Sequence, residues 1–138
     1  MTETCSVRTM TGGKVKGPAL VSKKAFTFAH GVDPRTGSVT DLHSDLLGKN
    51  VRGAVLVYPY GKGSTTASAW FLETARLGNA PAAVVTSSVD PAAVIGSVVA
   101  KVLYGVEIPV ILWPEAPSRV KSGDAVEVDA GTGTIRLR

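Results

Sequence analysis

Ala54-Val55-Leu56-Val57-Tyr58-Pro59-Tyr60-Gly61-Lys62-Gly63-Ser64-Thr65-Thr66-Ala67-Ser68 runs from an apolar segment, through a glycine turn, into the start of a helix. Ala54 to Val57 is short, continuous and rich in β-branched residues, and it lies between Gly53 and Pro59. That pattern predicts a buried strand, and Pro59, with no N–H to give to a ladder, ends it. From Ser64 onward Ala67, Trp70, Phe71, Thr74 and Ala75 recur at intervals of three and four, the signature of an amphipathic helix. Gly78, Asn79 and Pro81 supply its stop. Ser64 is then expected as the N-cap or a first-turn residue. There it would lie beside N–H groups without intrahelical partners, at the positive end of the helix dipole.

Working outward, Ala82 to Thr86 reads as a second buried strand. Asp90 as N-cap, Pro91 at the first helical position and Gly105 as the stop delimit a second helix. Val94, Ile95, Val98, Val99, Val102 and Leu103 leave that helix little polar face, so it is expected to be buried, in the domain's own core in preference to against a partner. Ile108 to Trp113 follows as a strand. The apolar stretch Val94 to Trp113 is broken by Lys101, Gly105, Glu107 and Pro109 and does not read as a membrane span. Strand, helix, strand, helix, strand over residues 54–112 predicts right-handed crossovers and a partly parallel sheet.

The flanks are mostly β. Val15 to Val21 should be strand, with Gly17-Pro18 at a bulge or edge position, and Phe26 to Phe28 a further short strand. Asp33-Pro34-Arg35-Thr36-Gly37 has the residues of a tight turn, and Leu46 to Val51 reads as a loop. Ala125 to Val128 and Thr134 to Leu137 form a hairpin through Gly131 and Gly133. The chain is thus a mixed α/β domain with two sheet layers and helices on one side.

With 138 residues, 44% hydrophobic and 19% charged, the chain is one domain with enough material for a core. Its single cysteine, Cys5, cannot form an intramolecular disulfide, and residues 1–10 lack the apolar centre of a signal peptide. A cytoplasmic location is expected, with residues 1–12 flexible. The net charge of +4 is weighted toward the N-terminal quarter, where Arg8, Lys14, Lys16, Lys23 and Lys24 precede Asp33. Such a cluster would steer anions or meet an acidic partner. The lysines of Lys14-Val15-Lys16 lie within a strand pattern and carry no interleaved aromatics, which favours a solvated strand face over nucleic-acid binding.

The turn at residues 61–64 admits two readings. Gly61 and Gly63 permit unusual backbone angles and a close approach to the main chain, with Lys62 adding positive charge, so an oxyanion would be stabilised there. Equally, serine is a favoured cap, glycines make turns and lysines are solvated. Gly61-Lys62-Gly63-Ser64-Thr65 is not a P-loop, since Lys62 precedes glycine. No Gly-x-Ser-x-Gly elbow surrounds Ser64 either.

Four ordered motifs decide between them: Gly17-Pro18-Ala19-Leu20-Val21-Ser22; Gly31-Val32-Asp33-Pro34 with Gly37, Asp41 and His43; Tyr60-Gly61-Lys62-Gly63-Ser64-Thr65; and Ala80-Pro81-Ala82-Ala83-Val84-Val85. Together, over roughly residues 13–115, they resemble the small subunit of the aconitase-X family. The resemblance implies an aconitase-like swivelling β/β/α domain spanning residues 1–138, with Lys101 to Glu107 a local elaboration. It also implies half of a hydro-lyase. In this family a serine of a Gly-Ser turn serves as the base that removes a proton next to a carboxylate, and the matching residue is Ser64. Gly61, Lys62, Gly63 and Thr65 are then expected to contact substrate, with Asp33 and His43 organising the cleft or its loop.

No cofactor is expected on this chain. An iron–sulfur cluster usually takes three or four cysteines, so the resemblance places it on a large subunit, the expected partner in a heterodimer. His30 or His43 with Asp33 or Asp41 matches no standard metal spacing. Family members dehydrate cis-3-hydroxy-L-proline or mevalonate 5-phosphate. Without a second phosphate-binding motif the reading leans to hydroxyproline, with mevalonate 5-phosphate the alternative. A non-catalytic module that holds a phosphate or carboxylate at the helix N-terminus is the competing class.

Overall fold

In a computed structural model of the chain, which describes residues 2–138, the elements run β1 (Glu3–Ser6), β2 (Arg8–Thr9), β3 (Lys14–Val21), β4 (Val55–Tyr58), α1 (Thr66–Arg76), β5 (Ala83–Thr86), α2 (Pro91–Tyr104), β6 (Val110–Leu112), α3 (Ala116–Arg119), β7 (Ala125–Asp129) and β8 (Thr134–Leu137). All eight strands join one mixed sheet in the order β1-β8-β7-β3-β4-β5-β6-β2. The centre, β3-β4-β5-β6, is parallel, β3 reaching β4 through the irregular residues 22–54 and β4-β5-β6 being joined by the crossover helices α1 and α2, and both flanks are antiparallel.

β1 and β2 stand at opposite edges of that order yet are separated only by Val7, whose N–H donates to Gly133 O at 2.9 Å. Adjacent covalent neighbours cannot belong to distant edges, so the sheet curls nearly to a barrel. Its interior holds Val21, Val55, Val57, Val85, Ile111, Trp113, Val126, Val128 and Ile135. Alternation along β4 sends Val55 and Val57 inward while Leu56 and Tyr58 face α1 and α2, so all four residues are buried. That double burial is why the strand reads as an unbroken apolar run.

Several expectations change. Within residues 1–12, where flexibility is expected, residues 3–6 and 8–9 are paired as β1 and β2; Met1 lies outside the described residues. Gly17-Pro18 makes no bulge, because β3 and β7 stay in constant register from Lys14↔Asp129 to Pro18↔Ala125. Instead Pro18 marks where β3 changes partner: β4 pairs only from Ala19. On the outer face Lys14 and Lys16 stand opposite Asp129 and Glu127, so these two of the quarter's basic residues belong to a cross-strand charge pattern. Phe26 to Phe28 is not a strand, since its ladder contact is the single bridge Phe26↔Gly61. Both rings are buried against Tyr58 and Phe71, and aromatic packing places the segment where a ladder does not. The two long helices share one face. The four-residue α3, unforeseen, seats Ala116 against the barrel core.

The limits of α2 match expectation: the Asp90 side chain accepts from Ala92 N–H at 3.2 Å, Pro91 begins the helix and Gly105 ends it in the left-handed region at φ 67°. The preferred burial does not. The buried residues are Ala93, Gly96, Ser97 and Ala100, whereas Ile95, Val98, Val102 and Leu103 are exposed. Small residues let α1 approach closely, and a Cβ on Gly96 would lie 2.5 Å from the ring of Phe71, itself fully buried. Gly96→Val is therefore expected to destabilise the chain by about 1–3 kcal/mol through overpacking, as a lowered urea midpoint with unchanged slope.

Candidate active site

The turn after β4 is built from below. Phe26 N–H donates to Tyr60 O at 3.0 Å and Lys62 N–H to Phe26 O at 2.9 Å, holding residues 60–62 against the Phe26 segment. Beneath Gly61 lies the carboxylate of Asp90, so close that a Cβ on residue 61 would meet it at 2.5 Å. Asp90 Oδ2 in turn accepts the Tyr58 hydroxyl at 2.6 Å. Burial pushes the Tyr58 phenol well above its ordinary value, and the neighbouring Asp90 charge pushes it further, so it stays a donor. Gly63 takes φ +94° with Thr27 Oγ1 close by. A glycine is needed at 61 for space and at 63 for backbone angle.

Ser64 is not the cap. Helix α1 begins at Thr66 with Thr65 as N-cap, and the Thr65 side chain makes no capping hydrogen bond. The N–H groups of Ala67 and Ser68 already donate to the carbonyls of Ser64 and Thr65. What faces the Ser64 hydroxyl is Thr66, with its Oγ1 at 2.5 Å and its N–H at 3.4 Å. Residues 63–66 are all exposed. The helix terminus thus offers fewer free N–H groups than expected, and a threonine hydroxyl stands in their place.

Lys62 does not reach toward Ser64. Its Nζ pairs with Asp41 Oδ2 at 2.8 Å, while His43 N–H donates to Asp41 Oδ1 at 2.9 Å. His43 is therefore drawn to the edge of the turn through its backbone. Asp33 is not brought there: its carboxylate accepts from Arg35 N–H within its own turn, and it lines a groove with His30, Trp70 and Glu73 on the flank of α1. His30 packs tilted against Trp70, with ring centroids 4.4 Å apart and the planes at 53°. Among the described residues no three His, Cys, Asp or Glu side chains gather to hold a metal ion. Reading along the chain missed Thr27, Tyr58, Thr66 and the contact of Asp90 with Gly61. Asp90 was legible as a cap, but its hold on Gly61 depends on a neighbour 29 positions away.

Residues 4–137 match the family of aconitase X swivel domains. The chain belongs to that family. The phosphomevalonate dehydratase small subunit of Methanocella arvoryzae is 40% identical over 126 residues, covering 91% of this chain and 92% of that one. Its counterpart in Thermococcus sibiricus is 38% identical over 130 residues, covering 94% and 95%. The crystal structure of the holo form of Thermococcus kodakaraensis aconitase X superposes with a TM-score of 0.88 at 33% identity, covering 99% of this chain and 98% of that one. The fold is that of an aconitase X swivel domain, and the curated relatives are dehydratase small subunits. No helix among the described residues is long and apolar enough to cross a membrane.

Two consequences of this geometry are measurable. Tyr58→Phe removes a donor from a buried carboxylate and is expected to cost about 1–3 kcal/mol, read by chemical denaturation. The Lys62 ammonium, and after it the His43 N–H, hold the Asp41 carboxyl below its ordinary 3.8. A carboxyl with a depressed folded-state pKa stabilises the fold above its unfolded value and loses that contribution as pH falls through the folded one. Asp41→Asn should thus be less stable than wild type at neutral pH, with the gap closing below pH 3.8 in acid-unfolding curves.

Proposed function

We propose that this chain is the small subunit of an aconitase-X-type hydro-lyase that dehydrates mevalonate 5-phosphate, with Ser64 as the base. The observation that carries the catalytic part is the exposed Ser64 hydroxyl, 2.5 Å from Thr66 Oγ1 on a turn braced from beneath. The curated relatives favour mevalonate 5-phosphate over the hydroxyproline to which the motifs alone lean, since those relatives are named for phosphomevalonate. Little on this chain distinguishes the two substrates: the cation nearest Ser64 in sequence, Lys62, is engaged by Asp41.

Dehydration removes a proton from the carbon next to the carboxylate and hydroxide from its neighbour. A serine hydroxyl becomes a base only where its alkoxide is stabilised and water is excluded. Thr66 supplies a hydroxyl and an N–H to that oxygen, and the N-terminal end of α1 adds its dipole. Gly61 lets the turn settle on Asp90 and Gly63 takes the backbone angle that presents Ser64, and on this reading substrate contact falls to the backbone of residues 61–63 and to Thr65. Exposure of residues 63–66 means that water must be excluded by another chain, and we assign that role to the large subunit. The donor set here does not fit an iron–sulfur cluster: there is one cysteine, Cys5, and its Sγ lies beside Glu3 and Arg119. The cluster therefore belongs, on this reading, to the large subunit.

Reconstitution with the large subunit tests this. Turnover of mevalonate 5-phosphate is expected, and Ser64→Ala should lower kcat by about 10²–10⁴-fold while the two chains still co-purify. Retained turnover in Ser64→Ala would remove the serine from the chemistry. Turnover of cis-3-hydroxy-L-proline alone would overturn the substrate.

A further inference from the structure

Among the described residues nothing covers the outward face of α2. Ile95 is 51% exposed, Val98 50%, Val102 77%, Leu103 59% and Tyr104 43%. With Pro91, the positions 91, 95, 98 and 102 recur at intervals of four, three and four, the spacing with which one helix seats against another apolar surface. From Pro91 to Val102 that ridge is about 17 Å long, and exposed aliphatic surface of this kind marks an interaction site.

The ridge begins at the candidate active site. Ser87 and Ser88 donate their N–H groups to Pro59 O at 3.1 and 3.0 Å, which sets the segment before α2 beside the Ser64 turn. Val89 and Tyr60, 45% and 55% exposed, stand on those two adjoining segments. Asp90, the cap of α2, lies against Gly61. Tyr60, Val89 and Pro91 thus put further exposed apolar residues on the segments between the turn and the helix. A second copy of the chain is the weaker occupant, since a stable interface takes about 20–30 residues a side and this ridge offers five large apolar ones. It fits better as one part of a larger contact that also covers the turn.

We propose that Ile95, Val98 and Val102 of α2 dock into an apolar groove of the large subunit, extending the contact that closes over Ser64. This rests on the subunit reading above and adds the surface by which the chains recognise each other. Its interior counterpart, Ala93, Gly96, Ser97 and Ala100, carries the intradomain packing, so the outer residues are free to serve a partner without cost to the fold.

The test is titration of purified large subunit with the full chain and with a Val98→Glu/Val102→Glu variant. The variant is expected to keep the wild-type melting curve, because both positions are at least half exposed. It should bind about 100-fold more weakly or worse, whereas Ser64→Ala keeps wild-type affinity. Should melting shift, Ile95→Lys offers a single change on the same ridge with the same expected loss of affinity. Wild-type affinity in these variants would overturn the proposal. So would a wild-type chain that sediments alone as a dimer dispersed by the substitutions, with large-subunit affinity unaltered, for that assigns the ridge to a second copy. A complex that forms through α2 yet leaves mevalonate 5-phosphate intact supports the docking surface and overturns only the substrate.

Discussion

One buried carboxylate ties the functional edge of this domain together. Asp90 caps α2 through Ala92 N–H, accepts the Tyr58 hydroxyl at 2.6 Å and lies directly under Gly61. The end of a central strand, the turn that presents Ser64 and the start of the second helix are therefore positioned by a single group. A carboxylate only 7% exposed is tolerable because each of these neighbours satisfies or covers it. The requirement for glycine at position 61 follows from the same contact, as any side chain would occupy the space the carboxylate already fills.

Around that brace the near-barrel sets the direction of everything else. Closing the sheet through Val7 buries one face of the parallel strands, leaving the other face for α1 and α2. Small residues on α2 then settle how near the helices come, and the larger aliphatic residues are turned outward. Exposed apolar surface on the helix and an exposed serine on the turn are linked features, since both adjoin the segment that Asp90 holds.

Much of the architecture was legible because it is written in local chemistry. Pro59 ending a strand, Pro91 opening a helix and Gly105 closing it each act through their own backbone, and each stands where the sequence pattern places it. The outward face of α2 was not legible. Valine and isoleucine score alike whether they meet a core or a partner subunit, so periodicity could show an apolar helix but not what covers it. β1 and β2 escaped for a related reason, since polar edge strands are held by ladder bonds to distant segments and carry no apolar alternation of their own.

The site divides in the same way. Local residue types by themselves determined a strand, a glycine turn and a serine ahead of a helix, and four ordered motifs determined the family. Only the tertiary structure decided that Lys62 bends to Asp41 and that Asp90 supports Gly61. The physical reason is distance along the chain: caps and turns depend on neighbours a few residues away, whereas hydrogen bonds and ion pairs between loops depend on how the sheet brings remote segments to one edge.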